Sequence, residues 1–474
     1  MTREDAIKTA LRSFESGEFK ATLARRIALR TESPRQDARD DLRKYLAEEL
    51  QPALVNLGYT CRILTDPQGT APFLFAERIE APGLPTVLGY AHGDVVRGME
   101  GRWADGLSPW ELVERDGCWY GRGVADNKIQ HSINLMAQAS VLKARGSLGF
   151  NAKWLIEMGE EIGSPGLHAV CREHRDLLQA DVLIASDGPR VNAARPTVFL
   201  GSRGEFSIDL RIEARDAPHH SGNWGGLLSN PAIQLSHAIA SLVGPSGKIQ
   251  VPELVPPGGI PADVRAALAD CEIEQGAQAP RIDAGWGEPG LSAPEKVYGW
   301  CSLEVLAMEA GTPSAPVGAI PPRAWARCQL RFVVGVPIDD VVPAIRRHLA
   351  RSGFGMVRVD AVEQPMPATR VPLANPWVRW AARSIERSTG RRPVVLPNFG
   401  GTIPNDAFTD ILGLPTIWIP HSYPGCLQHA PDEHVPVSMV PEALALMAGI
   451  YWDVPEARRW LDDPGDPGGT PLHA

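Results

Sequence analysis

Four acidic or histidine clusters fall directly after apolar runs in this 474-residue chain, and a fifth follows a glycine-rich turn. The run at 86–91 opens into His92-Gly-Asp94, and the run at 152–158 opens into Glu160-Glu161. The run at 181–186 ends in Asp187-Gly-Pro, and the run at 416–420 leads to His421, His429 and His434. Tyr120-Gly-Arg-Gly-Val-Ala-Asp126 places a glycine-rich turn and a carboxylate just ahead of a helical segment at 130–144. Runs rich in Val, Ile and Leu, separated by helices, predict buried strands of a mostly parallel sheet. Such a sheet gathers functional residues at the carboxyl ends of its strands. A turn or a helix cap would account for any one cluster alone. Together the clusters bring His92, Asp126, Glu161, Asp187 and His429 to one edge of one sheet. Two imidazoles and three carboxylates suit zinc, with cobalt or manganese as substitutes.

Local spacing adds detail. His92 and Asp94 are two apart in extended chain and face the same way, so Asp94 can hold the His92 ring in one tautomer. Glu160 and Glu161 are adjacent and point in different directions. One can bind metal while the other takes a proton from water.

Helical patterning opens the chain, breaks at 31–33 and resumes at 36–50; a further helix is expected at 166–173. Beyond Gly201-Ser-Arg-Gly204 the pattern changes. Residues 206–212 and 326–334 alternate as half-covered antiparallel strands do, around a helix at 231–242 and a Pro/Gly-rich stretch at 244–294. The first pattern returns with a helix at 375–388. The expected fold class is α/β: a three-layer catalytic domain formed by residues 1–203 and 368–462, with an α+β domain inserted at 204–367. Residues 463–474, DPGDPGGTPLHA, read as a disordered tail.

Composition narrows the function. Lys+Arg 47 against Asp+Glu 56 gives a net charge of −9 with no basic block, which argues against nucleic acid or an anionic membrane as partner. No apolar run is long enough for a membrane span, and the charged N-terminus lacks the apolar core of a signal peptide, so a cytoplasmic protein is expected. Seven cysteines without a Cys-x-x-Cys read as reduced thiols. Gly285-Trp-Gly-Glu-Pro-Gly290 spells a dinucleotide fingerprint but follows no strand and opens no helix, so it reads as a loop.

HGD at 92–94, GRGVADNK at 121–128, EMGEEIGSPG at 157–166, SDGP at 186–189, HHSGNWGG at 219–226, GGTIPND at 400–406 and HAPDE at 429–433 occur in one order. In them the chain resembles the two-zinc metallopeptidase and amidohydrolase family of acetylornithine deacetylase, succinyl-diaminopimelate desuccinylase, carboxypeptidase G and carnosinase. The resemblance implies that Asp126 bridges two zinc ions and precedes a cis peptide to Asn127. It implies that His92 and Asp187 complete one ion's ligands and Glu161 and His429 the other's, while Asp94 orients His92. Glu160 would be the general base for a zinc-bound hydroxide that attacks an amide. His220 would reach a partner subunit's site as oxyanion donor, which implies a homodimer and an inserted domain that is both lid and dimerisation unit; His219 beside it reads as a solvated loop residue. Arg331, Gly401 and Thr402 match positions that contact the substrate carboxylate.

Three positions depart from the family pattern. Gly318 stands where relatives carry Asn or Thr, Ile129 follows Asp-Asn-Lys in place of Gly, and Phe399 replaces a polar residue ahead of Gly-Gly. Phe399 points to a bulky or aromatic substrate moiety. The expected function is hydrolysis of an amide in a small carboxylate-bearing substrate, a dipeptide or an N-acyl amino acid. The alternatives are an aminohydrolase on a non-peptide substrate and a silent metal-binding protein.

Overall fold

The computed structural model describes residues 1–65, 71–274 and 279–457; the tail expected at 463–474 lies outside them. Its larger sheet has eight strands. In spatial order they are Thr60–Thr65, Pro72–Arg78, Asn151–Glu157, Thr86–His92, Val182–Ala185, Thr416–Trp418, Thr197–Phe199 and Val394–Leu396. The four central strands run parallel. Pro72–Arg78 and Thr197–Phe199 run against their inner neighbours, so the sheet is parallel at its centre and mixed at its flanks. Thr86–His92 and Val182–Ala185 are buried along nearly their whole length, inward and outward residues alike, so the sheet is covered on both faces.

The cover includes Arg3–Glu15, Lys128–Arg145, Pro376–Thr389 and Met439–Asp453. Arg3 ties the first helix to the last: its Nε donates to Asp453 at 3.0 Å, and its Nη2 donates to Ser384 O and Ser388 Oγ at 2.9 and 2.7 Å. The helix expected at 36–50 begins at Arg39 and continues through Asn56.

A second sheet of four antiparallel strands runs Ser302–Ala310, Arg323–Phe332, Gly204–Glu213, Arg358–Ala361. Arg323–Phe332 alternates strictly between covered and less covered residues, because only one face of this sheet is packed. Helices Pro231–Leu242 and Val341–Arg351 supply that packing through Leu235, Leu242, Ile345 and Leu349, in a core separate from the larger one. One part of the inserted segment departs from the expected division. Helices Ala262–Leu268 and Ala293–Tyr298 place Val264, Leu268 and Tyr298 in the larger core, and Arg195 pairs with Asp270 at 2.6 Å. Residues 285–290 form a loop with no strand before it, as expected.

Gly89 lies inside the strand that delivers His92. A Cβ there would meet the buried Trp154 ring at 2.7 Å, and the ring has no free space to retreat into. Gly89→Ala is therefore expected to destabilise the protein by about 1–3 kcal/mol in chemical denaturation. An unchanged midpoint would contradict the tight strand-to-strand packing.

Candidate metal centre

Strand ends and two turns build the site. His92 is the last residue of Thr86–His92, and Asp187 follows Val182–Ala185. Glu160 and Glu161 follow Asn151–Glu157, Asp126 stands ahead of Lys128–Arg145, and His429 sits at φ 63° in the loop after Thr416–Trp418. The Asp126–Asn127 peptide is cis.

The two oxygens of Asp126 face different imidazoles. Oδ1 lies 3.2 Å from His92 Nε2, and Oδ2 lies 3.3 Å from His429 Nε2. Asp187 Oδ2 is 3.7 Å from His92 Nε2, and Glu161 Oε2 is 3.0 Å from His429 Nε2. His92, Asp126 and Asp187 thus form one compact donor set; Asp126, Glu161 and His429 form a second. Glu160 points away from Glu161's partner, with Oε2 3.9 Å from His92 Nε2. Glu161 Oε1 and Asp187 Oδ2 are buried and have no hydrogen-bond partner. Buried carboxylate oxygens ordinarily have one, so both fit a cation's ligand position.

A surrounding layer holds these groups. His92 Nδ1 lies 3.1 Å from the Asp94 carbonyl and 3.4 Å from its carboxylate. That carboxylate accepts the Glu160 and Glu161 amides, each at 3.2 Å, so Asp94 positions the histidine and the glutamate pair together. Glu433, fully buried, accepts Arg122 Nη1 at 2.7 Å and the amides of Gly123, Ala125 and Asp126 at 3.2, 2.8 and 3.0 Å. Asn127 Nδ2 donates to Ser186 O, and Gln428 Nε2 donates to Asp126 Oδ2. The sequence reading assigned no role to Glu433 or Gln428. Glu433 lies inside the HAPDE motif, yet no spacing rule links it to an amide 307 residues away. His421 is not at the centre: it is buried with Nε2 against Ser186 Oγ at 3.1 Å.

Burial and mutual proximity shift the protonation of these groups. Burial pushes the carboxyls of Glu161 and Asp187 up to about 7 and about 6, and Glu160 well above the usual range. Burial acts the same way on Asp126, but His429 and His92 outweigh it and hold that carboxyl below the carboxylate range. Asp126 and Glu161 push the His429 imidazolium up to about 11.

A cavity of about 730 Å³ opens over the cluster. It brings Arg331, Gly401, Thr402 and Phe399 to the same space as Asp126, Glu160, Glu161, Asp187 and His429. Every edge of the Arg331 guanidinium is engaged. Nη1 donates to Thr402 Oγ1 at 2.6 Å, Nη2 pairs with Glu205 at 2.8 Å, and Nε donates to Gln329 at 3.2 Å. His220 is not among the residues lining this cavity. It is exposed on a two-residue strand, His219–His220, paired with Ala319–Ile320. His219 is half-buried against Trp224 rather than in a solvated loop. Gly318 also lies away from the cavity, with its carbonyl accepting the Ser221 amide and hydroxyl, both at 2.9 Å. The Ile129 side chain is buried in the larger core.

A profile of peptidase family M20/M25/M40 matches residues 88–453. Beta-Ala-His dipeptidase of Rattus norvegicus is 26% identical over 390 residues, 77% of this chain and 76% of its own. Cysteinylglycine-S-conjugate dipeptidase of Corynebacterium striatum is 28% identical over 335 residues, 68% of this chain and 70% of its own. Human carnosine dipeptidase 1 shares the fold with TM-score 0.75 at 23% identity, over 95% of this chain and 99% of its own.

The protonation pattern has a measurable consequence. A metal-free His429 pushed up to about 11 is protonated at neutral pH, and Glu161 at about 7 is partly so. A cation needs both deprotonated, so its uptake releases protons and its apparent affinity falls as pH falls. Titrating zinc into metal-free protein in weak buffer is expected to acidify the solution; an affinity independent of pH would contradict this.

Proposed function

This chain belongs to peptidase family M20/M25/M40, and on that footing we propose that it hydrolyses dipeptides at a centre of two divalent cations. It is a metal-dependent hydrolase of amide bonds. The dipeptide is the finer reading, supported by the names of its relatives and by a cavity of about 730 Å³ that joins the carboxylate cluster to an arginine. The observation that carries it is Asp126 standing between two imidazoles, one on each carboxylate oxygen.

In this reading His92, Asp126 and Asp187 hold one cation, and Asp126, Glu161 and His429 hold the other. Zinc fits the donor set, with cobalt or manganese as substitutes. When bound, the pair supplies Lewis acidity to the amide carbonyl and eases the ionisation of water. Glu160 lines the cavity and is free of the ligand pairs, so it receives the proton of the attacking water and returns it to the departing amine. Burial raises its proton affinity, which favours taking that proton from the water. Asp94 keeps Glu160 in place through its backbone amide while orienting His92. Gly401, Thr402 and Arg331 receive the substrate carboxylate, for which Arg331 exchanges part of its contact with Glu205.

The working unit in this reading is a homodimer, with the inserted segment at 204–367 as lid and dimerisation unit and His220 serving the partner's cavity as oxyanion donor. Support comes from the edge strand Ser302–Ala310, where Val305, Leu306 and Met308 are exposed, and from exposed Ile233 on the helix Pro231–Leu242 that packs beside it. Among the described residues no helix is long and apolar enough to cross a membrane. All seven cysteines are free, which supports a cytoplasmic setting.

Protein purified without chelator is expected to carry about two equivalents of divalent metal per chain and to hydrolyse dipeptides until the metal is removed. Glu160→Gln should lower kcat by at least ~10²-fold with unchanged metal content. A rate equal to wild type would remove Glu160 from the mechanism, and metal-independent hydrolysis would overturn the whole reading.

A further inference from the structure

The cavity has one wall that neither the metal cluster nor the carboxylate contacts use. Phe399 stands there, with Met366, Ile403 and Ile162 among the other apolar lining residues. Its ring is the cavity end of an aromatic stack. It lies on Phe199 at 5.3 Å between centroids and 27° between planes, and Phe199 lies on Trp418 at 5.8 Å and 4°. Phe199 and Trp418 are fully buried, so the stack is anchored in the larger core.

The position of the ring is fixed on other sides as well. The Phe399 amide donates to Gly201 O at 2.7 Å, and its carbonyl accepts the Arg203 amide at 3.0 Å. Gly188, the neighbour of Asp187, and Gly401, the neighbour of Thr402, both approach the ring. A Cβ on either would lie 3.3 or 2.6 Å from a ring carbon. The flat apolar surface therefore spans from the metal cluster to the carboxylate contacts, and both flanking residues have to be small.

We infer that Phe399 is the floor of a subsite for a bulky apolar side chain, best an aromatic one, on the carboxyl-terminal residue of the substrate. This rests on the dipeptide reading above. A polar side chain laid on this wall would give up water without gaining a partner. A hydrogen side chain would leave the wall wet. An aromatic ring buries both surfaces and continues the stack. The placement follows from Thr402 and Gly401. A residue whose carboxylate rests on them has its side chain within reach of Phe399, whereas the other residue of a dipeptide lies across the scissile bond.

The test uses metal-loaded protein, with Gly-Phe, Gly-Gly and Phe-Gly as substrates. Wild type is expected to favour Gly-Phe over Gly-Gly by about tenfold or more in kcat/KM. Phe399→Ala should abolish that preference, mainly through KM. Phe399→Leu keeps most of the volume and covers the case in which the alanine variant does not fold; it should narrow a preference for Gly-Phe over Gly-Leu. Equal rates on Gly-Phe and Gly-Gly, or a preference that survives both substitutions, would overturn the inference. A preference for Phe-Gly that the substitutions remove would overturn the placement. Calorimetric binding of free L-phenylalanine against glycine separates the two readings. If no dipeptide is cleaved the proposed function fails, while phenylalanine binding lost in Phe399→Ala still supports the subsite and equal binding of the two amino acids still refutes it.

Discussion

The buried Glu433 carboxylate gathers Arg122 and the amides of Gly123, Ala125 and Asp126 onto itself. That one group fixes the turn that presents Asp126, and Asp126 is the carboxylate shared by both donor sets. It also ties the turn to the loop carrying His429, because Arg122 donates to Ala430 O as well. The two histidines come from strands and loops distant in sequence. Their common reference point is a carboxylate whose backbone is held by another carboxylate.

Gathering so many acidic groups in a part-buried space is costly, since each charge loses water and repels its neighbours. The chain offsets part of this with backbone donors. Asp94 takes two amides from the Glu160–Glu161 turn, and Asp187 takes the Gly188 amide. What stays uncompensated is concentrated where the two donor sets face inward, at Glu161 Oε1 and Asp187 Oδ2. A cluster left short of positive charge in that way suits a cation. The same logic separates Glu160 from its neighbour: adjacent in sequence, they face different histidines, so one is free to carry a proton.

Much of this was legible in the residues. The central strands end close to where the apolar runs end, because strands buried on both faces are mostly apolar until they emerge at the sheet edge. The flanks were harder. Thr60–Thr65 and Pro72–Arg78 pair antiparallel with each other and have no helix between them among the described residues, so strand–helix alternation does not announce them. The stretch at 244–294 reads as Pro/Gly-rich filler, yet Val264 and Leu268 enter the larger core. Short helices of this kind are set by what they pack against, which local periodicity does not record.

The sequence by itself pointed to the α/β class and to ligand-type residues at the ends of its apolar runs. Those features are local: a period, a break and a charged residue at the break. Tertiary structure alone decided that Glu433 holds the Asp126 amide, that Arg331 is already paired with Glu205, and that Phe399 closes an aromatic stack begun at Trp418. Each of these joins residues far apart in the chain. Such distances are fixed only when the sheet closes its register and two cores pack, since no local preference of the backbone reaches that far.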